Sequence, residues 1–151
     1  ETDLNFDVPR VRILAFKDVM TAAGLPTRAE WDEWGDFTVR SGQEAFRRLW
    51  AHPGPKPTAI FCASDEMAMG VIFEATRLGV RVPEDLSVVG IDNHDFADAM
   101  GLTTVGQKPD EQAELATKML LDELDGAVGS VQSAVAPHEL IIRRTTAPPQ
   151  N

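Results

Sequence analysis

At 151 residues, with 43% hydrophobic and 25% charged positions, the chain has the composition of one globular domain or one large lobe. Its 14 Lys and Arg stand against 24 Asp and Glu, a net charge of -10, which excludes the chain itself as a nucleic-acid contact surface and disfavours anionic membranes. A single cysteine, Cys62, excludes an intrachain disulfide and a thiolate metal cluster, permits a reducing cytoplasm, and reads as an inert core thiol.

The first residues, ETDLNFDVPR, lack the apolar centre of an export signal, and no apolar run reaches the length of a membrane span, so a soluble protein is expected. Ile13, Phe16, Met20 and Ala23 recur at helical spacing and predict a helix from about Pro9 to Ala23, stopped at Gly24-Leu25-Pro26. Trp31 to Phe37 reads as a short strand and loop. Gly42, Ala45, Phe46 and Leu49 mark a second amphipathic helix with Thr38 as its cap, ended by the prolines at 53, 55 and 57.

Thr58 to Cys62 predicts a strand that feeds a helix, because the oxygens of Ser64, Asp65 and Glu66 suit a helix N-terminus. That helix carries Ala68, Val71, Ile72, Ala75 and Leu78 on one stripe and stops at Gly79. Leu86 to Ile91 is apolar on both faces, as a strand inside a parallel sheet is, so residues 58–91 form one right-handed βαβ unit. Leu102 to Gln107 predicts another strand, and Pro109 opens a helix with an apolar face of Leu115, Ala116, Met119, Leu120 and Leu124 that Gly126 ends. A bland loop over Ala127 to Ala136, a last strand over Glu139 to Arg143 and a frayed tail from Thr145 complete the reading. The fold class is α/β, a parallel sheet flanked by helices.

In open α/β sheets, ligands bind beyond the carboxyl ends of the strands. Ser64, Asp92 and Gln107 fall there. Asp92 can accept two hydrogen bonds from neighbouring hydroxyls and Gln107 can donate and accept, a set that suits a polyol. Arg12 would add a planar fork of donors, and Phe37 or Phe16 a ring for the apolar face of a sugar. Each has a plainer reading alone: an arginine in solvent, aromatics in the core, an Asp that caps the next turn.

Two other chemistries find less support. The acidic stretch Asp92 to Asp98 lacks the glycine and the terminal glutamate of a calcium loop, so it reads as a solvated turn. There is no G-x-S-x-G elbow, Walker loop or G-x-G-x-x-G, and His52, His94 and His138 have no identifiable nucleophile partner. No enzyme activity, metal or cofactor is expected.

The run PTAIFCASDEMAMGVIFEATRLGVRVPEDLSVVGID, Pro57 to Asp92, resembles the lactose-repressor-type (LacI/GalR) transcription regulators almost throughout. It carries Pro-Thr-Ala, a strand, Asp-x-Met-Ala-x-Gly, a helix, then Gly-x-x-Val-Pro-x-Asp-x-Ser-Val-Val-Gly and the Asp. Agreement extends to Arg12 to Phe16, Gly35-Asp36-Phe37, Leu102 to Gln107 and Glu139 to Thr146. Ser64, Asn93 and Met100-Gly101 depart from the family pattern, where Asn or Asp, a second Asp and a proline pair are usual.

The resemblance implies the C-terminal lobe of a periplasmic-binding-protein-like fold, in which a small effector, often a sugar or nucleobase, lies between two lobes and alters operator affinity. It implies that Arg12 matches the effector-binding arginine, Phe37 the stacking aromatic, Ser64 a polar pocket position, Asp92 the pocket carboxylate and Gln107 a polar residue near the hinge. Phe16 looks more like core packing. Residues 1–107 and 138–146 would form this lobe, and the 108–130 helix would pack on an N-terminal lobe that, like the DNA-binding headpiece, the resemblance leads us to expect and this sequence lacks. Operator DNA would be bound only through that headpiece, no membrane is expected as a partner, and an uncovered 109–125 helix would drive homodimerisation or swapped self-association. A periplasmic sugar-binding protein of a transport system shares the fold and is the alternative, but the VPEDLSVVGID wording is closer to the cytoplasmic regulators.

Overall fold

The computed structural model describes residues 8–126 and 133–149. Helix α1 spans Val8–Ala22, a one-turn 3-10 helix covers Ala29–Trp31, and α2 runs Val39–Ala51. Strand β1 (Ala59–Phe61) leads into α3 (Asp65–Arg77), then β2 (Ser87–Asp92), α4 (Asp95–Met100) and β3 (Thr103–Gln107) follow. Helix α5 (Pro109–Leu124) and β4 (His138–Ile141) complete the order. The sheet reads β1-β2-β3-β4, with β1, β2 and β3 mutually parallel, as the βαβ pattern predicts. Among the described residues only β4 runs antiparallel, against β3, which makes the sheet mixed.

Local chemistry sets the helix starts. Thr38 caps α2 by accepting from the Ser41 N–H at 3.1 Å while Ser41 Oγ accepts from the Thr38 N–H at 3.3 Å, a reciprocal capping box. Ser64 caps α3 by accepting from the Met67 N–H at 3.3 Å. Where α2 crosses α3 both helices carry glycine: a Cβ on Gly42 would lie 2.2 Å from Met67 O, and one on Gly70 2.1 Å from Val39 O. The crossing is therefore closer than side chains would allow.

The core lies where α3 meets β2, with Phe46 reaching in from α2. Leu86, Val88, Leu102, Ala68, Ala75 and Ala97 are fully buried there, and each large one contributes about 1.5–3 kcal/mol of hydrophobic stabilisation. At its margin the buried Glu74 of α3 takes Arg47 Nε at 3.0 Å from α2 and Arg77 Nη2 at 2.5 Å from its own helix. A carboxylate so deep is tolerable because two guanidinium groups reach it.

Four sequence expectations need correction. The acidic stretch expected as a solvated turn enters helix α4 at Asp95, because His94 caps it and Ala97 packs into the core. Residues 31–37 form no strand: Asp36 Oδ1 accepts from the Thr38 N–H and hydroxyl, Arg48 Nη2 donates to Trp34 O, and Phe37 has a φ of 65°. Local polar side chains satisfy this backbone in place of a ladder. The last strand starts one residue earlier and ends at Ile141, because the Arg143 N–H turns to Thr103 Oγ1 at 2.9 Å. Nor does Thr145 begin a frayed end. It is buried, its hydroxyl donates to Val88 O at 2.7 Å and accepts from the Thr103 N–H at 2.9 Å, and the Val88 N–H donates to Thr145 O. The expected loop at Ala127 to Gln132 lies outside the described residues.

Helices α1 and α5 sit at the periphery. Val11, Leu14 and Val19 of α1 and Leu120, Leu121 and Leu124 of α5 are exposed, and no described residue of α5 is buried.

Candidate functional site

The carboxyl ends of β1, β2 and β3 lie side by side because the three strands run parallel in register, with Asp92 opposite Gly106. Each end contributes one group. After β1 comes the carbonyl of Ala63, at the end of β2 the carboxylate of Asp92, and at the end of β3 the amide of Gln107. Helix α1 lays Arg12 across them: Nη1 donates to Ala63 O at 2.5 Å and Nη2 lies 3.6 Å from Asp92 Oδ1. Gln107 Nε2 donates to the same Oδ1 at 2.6 Å. Both contacts fall on Oδ1, and no donor among the described residues reaches Oδ2.

Asp92 is half-buried, and burial is the main influence pushing its pKa above the ordinary carboxylate value. Arg12 and Gln107 oppose that rise, while the neighbouring carboxylates of Asp65 and Glu66 add to it. The result is a carboxylate whose bare lone pairs can accept from ligand hydroxyls, with a guanidinium and an amide beside it to donate.

The structure brings together three of the five residues singled out in the sequence: Arg12, Asp92 and Gln107. Ser64 is 1% exposed and spends its hydroxyl on the α3 cap, so it lies beneath the surface instead of lining it. Phe37 is half-buried at a left-handed position ahead of α2, and no ring pair among the described residues includes it. The ring that does stand beside Arg12 is Phe16, one helical turn on, stacked on Phe61 with centroids 5.3 Å apart and planes 5° from parallel. Phe16 is 37% exposed, so it is less a core residue than expected.

Sequence reasoning missed Asp65 and Thr104. Both are fully buried, and Thr104 Oγ1 donates to Asp65 Oδ1 at 2.7 Å. Asp65 looked like a helix-start charge, and nothing in its spacing signalled burial. Cys62 is buried and its thiol is pushed up to about 12, which keeps it protonated and inert. Among the described residues no three His, Cys, Asp or Glu side chains gather as a metal site, and no helix is long and apolar enough to cross a membrane.

Comparison with known proteins bears on the fold and family of the chain. The model of the periplasmic binding protein-like domain matches residues 2–146. The chain is 40% identical over 138 residues to the HTH-type transcriptional repressor PurR of Erwinia tasmaniensis, a match over 90% of this chain and 40% of that protein. It is 38% identical over 138 residues to the HTH-type transcriptional repressor CytR of Escherichia coli, covering 89% of this chain and 40% of that protein. The chain thus spans about two fifths of the curated relatives it matches. Among solved structures, the dimeric Lac repressor with an 11-residue C-terminal deletion superposes with a TM-score of 0.85 at 28% identity, over 95% of this chain and 52% of that one. The transcriptional regulator CelR in complex with cellobiose gives 0.80 at 29% identity, over 89% of this chain and 41% of that one.

Proposed function

Because the chain belongs to the periplasmic binding protein-like domain family, and within it to the LacI-type regulators, we propose that it is the effector-sensing lobe of a DNA-binding transcriptional repressor. The observation that carries this reading is the half-buried Asp92 carboxylate at the parallel strand ends, with Oδ1 engaged by Gln107 and Arg12 and no hydrogen bond to Oδ2 among the described residues. A hydroxylated, sugar-like metabolite fits that donor and acceptor set, and the cellobiose complex of a structural neighbour supports the same class. Phe16, one helical turn from Arg12 and stacked on Phe61, would offer an apolar face to such a ligand. The chemistry in this reading is binding: the matched relatives are named as transcriptional repressors, and the donors and acceptors of the site suit holding a ligand.

In this reading residues 1–107 and 138–146 form one wall of the cleft, and the 108–130 segment packs its apolar face on a second lobe. The effector shifts the balance between two lobe arrangements that differ in operator affinity, and its leverage is limited to its differential affinity for the two. DNA is contacted elsewhere in the protein, since this chain's net charge of -10 repels phosphate. The repressor works in the cytoplasm. That the matched relatives are repressors favours this reading over a transport protein.

The test is a thermal-shift screen of monosaccharides, disaccharides and purines against the protein at the length its gene encodes. A ligand at a hundredfold its Kd stabilises the native state by about 2.7 kcal/mol, well within detection. A sugar is expected to raise Tm, and Asp92→Ala is expected to abolish that shift while operator binding in a gel-shift assay survives. No shift with any sugar would overturn the sugar-sensing reading, and absence of operator binding by the unsubstituted protein would favour the transport alternative.

A further inference from the structure

Asp92 presents its carboxylate from an unusual backbone. Its φ is 120° and that of Asn93 is 56°, two consecutive non-glycine residues in the left-handed half of conformational space. Such a pair persists only where the surroundings hold it. Two side chains hold it: the Asn93 N–H donates to Thr104 Oγ1 at 3.3 Å, and the His94 N–H donates to Asp65 Oδ2 at 2.8 Å. Thr104 in turn donates its hydroxyl to Asp65 Oδ1 at 2.7 Å.

We propose that Asp65, out of reach of any ligand itself, is the positioning residue that aims Asp92, by gripping the Asp92-Asn93 turn through the His94 amide and the Thr104 hydroxyl. Both oxygens of the Asp65 carboxylate are spent on this task, and no cation pairs with it among the described residues. Helix capping does not account for it, since Ser64 caps α3 and the His94 side chain caps α4 by accepting from the Phe96 N–H. Strand β2 makes room for the carboxylate with Gly90, where a Cβ would lie 2.1 Å from Asp65 Oδ1. A buried, desolvated carboxylate is a costly way to hold a turn, and the structure uses it where the turn carries the outward-facing acid. The functional weight of this device rests on the reading of Asp92 as the ligand-facing acid, but the device itself can be tested without any ligand.

The experiment is NMR on the chain and its Asp65→Asn, Thr104→Val and Thr104→Ser variants. In the unsubstituted chain a through-hydrogen-bond coupling is expected between the His94 amide nitrogen and the Asp65 carboxylate carbon. In Asp65→Asn and Thr104→Val the amides of Asn93 and His94 are expected to exchange at least about tenfold faster relative to the core amide of Val88. The Gln107 side-chain amide protons, which rest on Asp92, should move toward their free values, and Thr104→Ser should restore both signatures. Exchange at Asn93 and His94 that changes only in step with Val88, with Gln107 unmoved, would reduce Asp65 to a stabilising residue and overturn the proposal. If both variants unfold, absence of the coupling in the unsubstituted chain overturns it alone. Failure of every sugar in the thermal-shift screen would remove the sensing role while leaving these signals intact, so the two failures are distinguishable.

Discussion

Gln107 Nε2 donates to Asp92 Oδ1 across 2.6 Å, so the last residue of β3 holds the acid that ends β2. An amide donor favours the carboxylate over the neutral acid, and with Arg12 it restrains a pKa that burial pushes upward. Gln107→Ala is therefore expected to raise the Asp92 pKa further, read from the carboxyl carbon shift in an NMR titration. A carboxyl whose folded pKa exceeds the ordinary 3.8 binds more protons folded than unfolded, so its presence makes stability fall as pH rises from 3.8 through the raised value. The variant should carry that decline to higher pH. An Asp92 titration identical in both proteins would show that the contact does not persist in solution.

The α2 and α3 crossing predicts the effect of one added methyl group. Gly70→Ala places a Cβ 2.1 Å from Val39 O and 2.8 Å from the Gln43 nitrogen, both backbone atoms that cannot swing away. Alanine gains about 1 kcal/mol of helix propensity over glycine, but overpacking a close contact costs about 1–3 kcal/mol, and contact at this distance belongs at the upper end. A net loss of about 1–2 kcal/mol is expected in urea unfolding, with the m-value unchanged. A stabilised variant would mean that the helices lie farther apart.

Glu74 predicts a feature of the acid limb. Hydrogen bonds from Arg77 and Arg47 lower its pKa to about 2 from an ordinary 4.5. The folded state thus holds its proton less tightly than the unfolded state, so the stability this group contributes is fully present above 4.5 and is lost as pH falls toward about 2. Glu74→Gln should lower Tm at neutral pH, and the gap to the unsubstituted protein should narrow steadily below 4.5. A gap that stays constant with pH would assign the effect to packing.

What could be read from the sequence divides along a physical line. Helix periodicity, the Thr38 and Ser64 caps and the doubly apolar β2 are local patterns, and they located α1, α2, α3, β2 and α5 with the parallel core of the sheet. Strand ends place Asp92 and Gln107, and the donor fork near the start of α1 points to Arg12, which the family resemblance also matches. The misses were tertiary. Residues 31–37 look like a strand until Asp36 and Arg48 satisfy their backbone locally, and Thr145 looks like a loose tail until its hydroxyl bridges Val88 and Thr103. Asp65 carries no mark of burial in its neighbours, because its partners Thr104 and His94 lie 39 and 29 residues away. Ser64 was placed correctly at a strand end, but its hydroxyl had a second use, as the α3 cap, and that use turned it inward.

The apolar face of α5 leads to the last expectation. Leu120, Leu121 and Leu124 are 58%, 55% and 73% exposed, on a helix with no buried residue among those described. Each would gain at most about 1.5–3 kcal/mol on full burial, so a symmetric pair of these faces brings the total into the range of the association cost, about 4–15 kcal/mol. If this face meets a second lobe in the protein as its gene encodes it, the 151-residue chain alone leaves it in water, and two copies can cover it symmetrically. Light scattering on the chain is expected to show mass rising with concentration, and a Leu120→Glu, Leu124→Glu double variant should stay monomeric with its helix content unchanged. If the face is instead covered within one molecule of a longer protein, the same pair of substitutions should lower its Tm without changing its mass. A chain that remains monomeric at high concentration would show that α5 is not self-complementary.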